Sequence, residues 1–180
     1  MSSPQITPDQ AKFLLGFMLP TLKTEHATTK KVIEAIPLDK GDYRPDAISK
    51  TALELAWHIV AAEKRFLRGI CTGALDFSPI SRPDSVRDSA AIAAWSGAMF
   101  AENLPALEQL SGEQLARIID FRGLFQLPAV RYVQISVNHT VHHRGQLSMY
   151  LRPMGAKVPS IYGESYDATQ ARLAKESKAS

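Results

Sequence analysis

Hydrophobic residues recur along this chain mostly at the three- and four-residue spacing of an α-helix, and prolines and glycines separate the periodic stretches. The pattern predicts four main helices, over about residues 9–36, 49–70, 85–110 and 128–154. Pro37 ends the first helix, and Pro20 and Pro105 should bend, divide or shorten the helices in which they fall. Four helices with connections of moderate length indicate an all-α bundle.

The rest of the chain is predicted to connect these helices. Two segments rich in Gly, Pro, Asp or Ser are interpreted as surface loops, namely residues 38–45 and 72–83. Residues 117–127 alternate weakly around Gly123, which predicts a short hairpin or an irregular segment before the fourth helix. Residues 169–180 are predicted as a short helix or a frayed tail. Because no repeat or change in composition divides the chain, residues 1–180 are predicted to form a single helical-bundle domain.

Composition narrows the functional classes. The chain has 180 residues, of which 45% are hydrophobic and 22% charged, as is typical of globular proteins. Its net charge of +3 is mildly basic, but the cations are spread out, so no nucleic-acid partner is expected. Neither a signal-like start nor a long apolar run is present in the sequence, so we expect a cytoplasmic protein without a membrane partner.

Cys71 is the only cysteine, so no internal disulfide can form. It lies near the predicted end of the second helix. No neighbouring residue supplies a base or positive charge that would convincingly lower its pKa, so we interpret Cys71 as a buried, unreactive thiol.

Three of the five histidines fall within residues 139–143 of the fourth predicted helix. His139 and His143 are four residues apart and point the same way, so they can bind one metal ion, whereas His142 points elsewhere. Two imidazoles rarely hold a divalent ion alone, and His58 is the strongest candidate for a third ligand. All-nitrogen ligation suits zinc, nickel, iron or copper better than magnesium or calcium, and among these divalent transition metals we expect zinc or nickel first and iron next. Three such ligands leave a position open for water or substrate, as in catalytic sites.

Each candidate also has a simpler interpretation. Tyr132 and Tyr150 lie on the stripe of His139 and His143 and can be core or interface residues, in which case the histidines are polar groups on the bundle surface. His58 can be a buried histidine that bonds to Glu54 one turn earlier. If His58 binds metal, Glu54 can instead orient its ring or join the ligands.

The remaining polar candidates are placed outside the ligand set. His26 of the first helix is interpreted as solvent-facing, with a position lining the site as the alternative, and His142 as a surface or supporting residue. Arg144 and Gln146 are interpreted as a solvated helical face, with substrate contact as the alternative. The sequence leaves the catalytic residues unassigned.

An ordered set of short motifs resembles the DinB/YfiT-like family of proposed metalloenzymes. The motifs are Ala35-Ile36-Pro37, Tyr43-Arg44-Pro45, residues 54–59 and, above all, residues 138–147. The resemblance implies an up-and-down four-helix bundle, commonly a homodimer, with a divalent metal bound near one end of the bundle. The family's ligand histidines correspond to His58, His139 and His143.

The resemblance also implies a class of reaction. Relatives include transferases and isomerases that use low-molecular-weight thiols such as bacillithiol, mycothiol or glutathione, and a metal would activate the thiol as a thiolate. We therefore expect a metal-dependent enzyme with a small-molecule substrate, for which a thiol S-transferase or a hydrolase are the two classes considered. The competing hypothesis is a stress-related binding or interaction module with a vestigial metal site.

Overall fold

The computed structural model describes residues 6–179, and within them it contains six helices and one two-stranded hairpin. In chain order the elements are α1 (Pro8–Glu34), α2 (Ala52–Thr72), α3 (Ser89–Gln109), α4 (Gly112–Ala116), β1 (Ile118–Phe121), β2 (Phe125–Pro128), α5 (Arg131–Leu151) and α6 (Tyr166–Ala179). The four long helices α1, α2, α3 and α5 form the bundle. Helix α5 packs against α1 and α2, and α3 packs against the same two helices. The predicted all-α fold is confirmed.

Helix α1 runs without a break through Pro20, so of the two alternatives predicted there, a bend or a division into two helices, the division is wrong. Pro20 and Gly16, the residue whose carbonyl a proline at position 20 leaves unbonded, are both exposed, and water can satisfy that carbonyl. At the N-terminus, the Thr7 hydroxyl accepts a hydrogen bond from the backbone N–H of Gln10, whose side chain accepts one from the backbone N–H of Thr7.

The third helix begins later than its apolar pattern predicts. Asp88 caps α3 by accepting a hydrogen bond from the backbone N–H of Ala91, so the helix starts at Ser89 rather than Ser85. It continues through Pro105 to Gln109. A short helix, α4, then follows a new cap at Ser111, and the sequence analysis did not predict it.

A hairpin precedes the fourth long helix, as predicted. Strands β1 and β2 are antiparallel, with Ile119 opposite Leu127, and the turn contains Arg122 and Gly123 with positive φ angles of 56° and 71°. Pro128 is the last residue of β2 instead of the first residue of the helix, which begins at Arg131. A proline is tolerated at a strand end because its missing N–H falls where the ladder stops.

Two clusters of buried side chains fill the bundle, and the histidines of α5 lie between them along the helix. Val137 belongs to the cluster that contains Leu67 and Leu107. Leu147 belongs to the cluster that contains Ile33 and Ile59. The cores on both sides hold α5 against its neighbours at the level of residues 139–143.

The C-terminal helix α6 starts three residues before the predicted position 169. Arg152, directly after α5, forms an ion pair of 3.0 Å with Asp167 of α6. None of the helices in residues 6–179 has both the length and the apolar character needed to cross a lipid bilayer.

Candidate metal centre

The three predicted histidines come together between two helices. His58 lies on α2, and His139 and His143 lie one turn apart on α5. Each of them offers one ring nitrogen, and these three atoms all lie within 4.8 Å of one another. The ring centroids of His58 are 5.0 Å from His139 and 4.5 Å from His143. All three side chains are partly buried, so the group is reachable from solvent yet held by the bundle.

Helix α2 places His58 through its apolar face and its cap. The apolar face of α2 packs on the core through the buried side chains of Leu55, Ile59 and Ala62. At the cap, the Glu54 carboxylate accepts a hydrogen bond of 2.8 Å from the backbone N–H of Thr51. Glu54 therefore caps the start of α2. It is not the hydrogen-bond partner of the His58 ring, which was one interpretation of the sequence.

A hydrogen bond fixes which nitrogen of His143 is free. Its Nδ1 lies 2.7 Å from the side-chain oxygen of Gln146. An amide oxygen only accepts, so Nδ1 carries the proton of the neutral ring and Nε2 keeps its lone pair. That Nε2 lies 3.2 Å from Nε2 of His58. Gln146 thus directs a basic nitrogen of His143 toward His58.

His139 has a buried nitrogen that lacks a partner. Its Nδ1 is one of two buried side-chain polar atoms in the described part of the chain that make no hydrogen bond. A buried polar atom without a partner costs roughly 1–3 kcal/mol, so such atoms are uncommon and call for an explanation. A bound ion in the histidine group is one explanation.

The protein keeps two of these imidazoles neutral. Burial, together with the smaller effects of the charges of His143, Lys50 and Arg65, lowers the pKa of His58 to about 4. Burial also lowers the pKa of His139 to about 4, with the other histidines acting in the same direction. Only a neutral imidazole has a lone pair to donate, so both rings are in the form that binds metal at neutral pH.

The spacing also fits a single ion. Two nitrogens at about 2.0–2.1 Å from one tetrahedral zinc would lie about 3.3 Å apart. The Nε2 atoms of His58 and His143 are 3.2 Å apart. Three imidazole nitrogens suit zinc, nickel or iron better than magnesium or calcium, which prefer oxygen. The residues present therefore could hold a divalent transition metal.

His142 lies outside the group, as predicted. Its side chain is exposed, and its Nε2 accepts a hydrogen bond of 3.2 Å from the side-chain amide of Gln146. Gln146 therefore links His142 to His143 by two hydrogen bonds. The prediction of a solvated position holds for Gln146, but its contact with His143 gives it a supporting role in the site.

The prediction that His26 faces solvent is wrong. His26 is buried, its Nδ1 lies 2.9 Å from a carboxylate oxygen of Glu63, and its ring stacks on Phe100 at 3.8 Å between centroids. Its spacing from Leu22 and Ile33 places it on the buried stripe of α1, and that periodicity was visible in the sequence.

The solvated face predicted for Arg144 is also wrong, because the residue is 1% exposed. Its guanidinium forms an ion pair of 2.6 Å with Glu25 and donates a hydrogen bond of 2.6 Å to the Tyr162 hydroxyl. Arg144 shares the helical stripe of Val137 and Leu147, which are buried, so the spacing again carried the signal. The charge of the arginine favours exposure to solvent, but the ion pair with the buried Glu25 compensates that charge inside the bundle.

Two cavities adjoin the histidine group. The larger has a volume of about 580 Å³ and reaches His143 and Gln146. The smaller has a volume of about 260 Å³ and reaches His58 and Arg65. Lys50 lines both cavities. A small molecule in either cavity would lie beside the candidate ligands.

Cys71 does not take part in the centre. It is partly buried near the C-terminal end of α2, and burial raises the pKa of its thiol. The raised pKa agrees with the prediction of an unreactive thiol.

Comparison with known proteins identifies relatives over most of the chain. A sequence model of the DinB family matches residues 12–177. The uncharacterized Bacillus subtilis protein YjoA is 30% identical over 129 residues, which cover 71% of this chain and 82% of YjoA. The uncharacterized Bacillus subtilis protein YrdA is 28% identical over 155 residues, which cover 83% of this chain and 88% of YrdA.

Two crystal structures are similar to the fold described above. The DinB-like protein YjoA from Bacillus subtilis has a TM-score of 0.65 and 26% identity, and the match covers 84% of this chain and 99% of that protein. A DinB-like protein from Bacillus cereus has a TM-score of 0.68 and 26% identity, with coverage of 81% and 95%.

Proposed function

The chain belongs to the DinB family, and from that premise we propose that it is a metal-dependent enzyme whose divalent ion is bound by His58, His139 and His143. The observation that carries the proposal is the convergence of three imidazole nitrogens from two helices within 4.8 Å. Zinc or nickel are the first candidates for the ion and iron is the next.

The reaction we propose is transfer of a low-molecular-weight thiol to an electrophilic small molecule. A divalent ion with an open position supplies a Lewis acid that lowers the pKa of a bound thiol or water. In this reaction the thiol would lose its proton to solvent water, its sulfur would form a bond to the electrophilic carbon, and the leaving group would depart with the electrons of the bond that breaks.

The surroundings of the histidines favour an anion such as a thiolate. Lys50 and Arg65 lower the pKa of His58 by their positive charge, so both cations act at this site. The Arg65 guanidinium donates hydrogen bonds to the backbone carbonyls of Asp76 and Ser78, which are neutral acceptors. The same field that disfavours protonated histidine stabilises a bound negative charge.

The first experiment is elemental analysis of protein purified without a histidine tag. We expect close to one divalent ion per chain, and loss of that ion from the variants His58→Ala, His139→Ala and His143→Ala. His142→Ala is the matched control, because it removes an exposed imidazole from the same helix and should leave metal content unchanged. Metal that stays bound in all three ligand variants would show that the ligand assignment is wrong.

The second experiment tests the reaction separately from metal binding. The metal-loaded protein is assayed with bacillithiol, mycothiol and glutathione against an aromatic electrophile such as 1-chloro-2,4-dinitrobenzene. We expect turnover with one thiol and its loss in His143→Ala. If the protein binds metal but accelerates none of these reactions, the transferase proposal fails while the metal site stands.

A second candidate function is an interaction module, and two exposed side chains favour it. Phe13 and Phe17 lie one turn apart on α1 and are 72% and 74% exposed. The predicted homodimer would also find an apolar contact there. Sedimentation velocity of the wild type and of Phe13→Ser/Phe17→Ser tests that contact. A thiol-dependent activity that is lost in His143→Ala would eliminate interaction as the principal role.

A further inference from the structure

The cavity beside His143 has the size and walls of a small-molecule site. Its volume of about 580 Å³ falls within the range of roughly 300–1,000 Å³ typical of ligand pockets. Most of its lining residues are apolar or aromatic, namely Tyr43, Pro45, Leu55, Met149, Tyr150 and Pro153. Such walls favour a ligand with an apolar or aromatic body, since burying apolar surface releases about 25 cal/mol per Å².

The wall opposite α5 is held in place by backbone hydrogen bonds. The loop that carries Tyr43 is bound to the start of α2 by two backbone hydrogen bonds, from Ala52 N–H to the Tyr43 carbonyl at 2.8 Å and from Leu53 N–H to the Gly41 carbonyl at 3.0 Å. A Cβ at position 41 would lie 2.5 Å from the Leu53 side chain, so a larger residue there would require that side chain to shift. Little ordering entropy therefore remains to oppose binding.

The aromatic side chains complete that wall. The ring of Tyr43 meets the ring of Tyr150 on α5 edge-on, with 5.7 Å between centroids. At the mouth, Met149 is 74% exposed although it is apolar. A flexible, exposed methionine beside an apolar cavity can adapt to ligands of different shape.

The polar end of the cavity carries a positive charge. Lys50 lines it together with Ser49, His143 and Gln146. Among residues 6–179 no carboxylate lies within 4.0 Å of the Lys50 ammonium group. Its charge lowers the pKa of Glu54, but that carboxylate accepts its hydrogen bond from the cap of α2. Lys50 is thus available to pair with an anion.

We propose that this cavity binds an amphiphilic anion, with its apolar body between Tyr150 and Met149 and its acidic group on Lys50. The part of this inference that concerns the reaction rests on the proposed function, because the cavity ends at the proposed metal ligand His143. The part that concerns binding does not rest on it. It names the substrate class of the site, a small apolar or aromatic molecule with one carboxylate, sulfonate or phosphate group. Lys50 is then a specificity residue that selects charged over neutral molecules of the same shape.

The test compares two probes of nearly equal shape, naphthalene-2-sulfonate and neutral naphthalene-2-sulfonamide, by calorimetry on the full chain. We expect the sulfonate to bind more tightly. Lys50→Gln should weaken sulfonate binding roughly tenfold, the loss of one charge-assisted hydrogen bond, and leave sulfonamide binding unchanged. Lys40→Gln removes an exposed lysine of the same interhelical loop and should change neither affinity.

A second pair of variants tests the apolar wall. Met149→Glu should weaken binding of both probes, whereas Leu124→Glu should not, because Leu124 is equally exposed, at 74%, but lies on the hairpin turn. Equal affinities for the two probes, an unchanged sulfonate affinity in Lys50→Gln, or unaltered binding in Met149→Glu would each overturn the inference.

One further variant separates this inference from the metal proposal. His139→Ala removes a proposed metal ligand that does not line the cavity, so it should lose metal and keep sulfonate binding. Sulfonate binding to a protein that never holds metal would refute the proposed function and leave the cavity assignment intact. Metal binding without binding of either probe would refute the cavity assignment and leave the proposed metal site intact.

Discussion

Replacing Arg144 by Met should be among the most damaging single changes in this bundle. The Arg144 side chain is 2% exposed, and its guanidinium forms an ion pair of 2.6 Å with Glu25, whose side chain is 10% exposed. It also donates hydrogen bonds of 3.3 Å to the Thr29 hydroxyl and 2.6 Å to the Tyr162 hydroxyl. Met fills a similar elongated space without charge, so the substitution tests the ion pair rather than a cavity.

The expected cost follows from what remains behind. Removing one partner of a buried ion pair costs about 3–5 kcal/mol because the other charge stays buried. Here the Tyr162 hydroxyl still donates a hydrogen bond of 3.1 Å to Glu25 and compensates part of the loss. We therefore expect Arg144→Met to lower the free energy of unfolding by about 3 kcal/mol. For a domain of this size that corresponds to a fall in Tm of roughly 6–12 °C.

Neutralising the stranded carboxylate should restore part of the stability. Glu25→Gln/Arg144→Met leaves no buried charge in this pair, so we expect the double variant to unfold with a deficit of only about 1–2 kcal/mol. The measurement is urea unfolding of the metal-free protein at pH 7, followed by far-ultraviolet circular dichroism. Arg152→Met is the control, since the Arg152 side chain is 50% exposed and its pair with Asp167 is screened by water.

Either of two results would contradict a buried ion pair that stabilises the fold. One is an Arg144→Met variant whose stability lies within about 1 kcal/mol of the wild type, which would mean that water already compensates the buried charge. The other is strict additivity of the two substitutions in the double variant, since residues in direct contact should show coupling. An unchanged midpoint in Arg152→Met is required for the comparison to hold.

Three further predictions concern two glycines, the pH dependence of stability and the reactivity of Cys71. Gly112→Ala should destabilise the protein by about 1–3 kcal/mol, because a Cβ there would meet the backbone at the start of α1. Gly145→Ala lies on an open helix face and should stabilise the protein by about 0.5–1 kcal/mol. The midpoints of urea unfolding test both expectations. His58 and His139 have folded pKa values of about 4 against an ordinary 6.5, so the unfolded chain binds more protons between these values. Stability of the metal-free protein should be complete above pH 6.5 and fall toward pH 4, and a flat midpoint would contradict this. Cys71, with its pKa raised by burial, should react with iodoacetamide at pH 7.5 more slowly in the folded protein than in urea, and equal rates would show that the thiol is accessible.

The elements that the sequence predicted best are those set by local spacing. The four long helices follow from apolar periodicity, and the facing pair His139 and His143 follows from a spacing of four residues. His58 could be chosen only by the chemical need for a third ligand and by the family resemblance, because helical spacing does not show that α2 packs against α5 at that level. Pro128 was misplaced because a proline is equally at home at the end of a strand and at the start of a helix.

The errors share a cause, which is that burial of a charged residue depends on a distant partner. His26 pairs with Glu63 across 37 residues of sequence, and Arg144 pairs with Glu25 on the neighbouring helix α1 across 119 residues. Each of these residues taken alone favours solvent. Their positions on the apolar stripes of α1 and α5 contradicted that preference, and here the periodicity was the better guide than the charge.

The buried arginine and the histidine group belong to one mechanical unit. His143 and Arg144 are consecutive on α5, so their side chains point about 100° apart around the helix axis. Arg144 is tied to α1 through Glu25 and to the segment before α6 through Tyr162. These contacts oppose rotation of α5, and a rotation would carry His139 and His143 away from His58. The buried network of Arg144, Glu25 and Tyr162 therefore keeps the imidazole nitrogens of the histidine group close to one another. Any metal chemistry at this site requires that closeness.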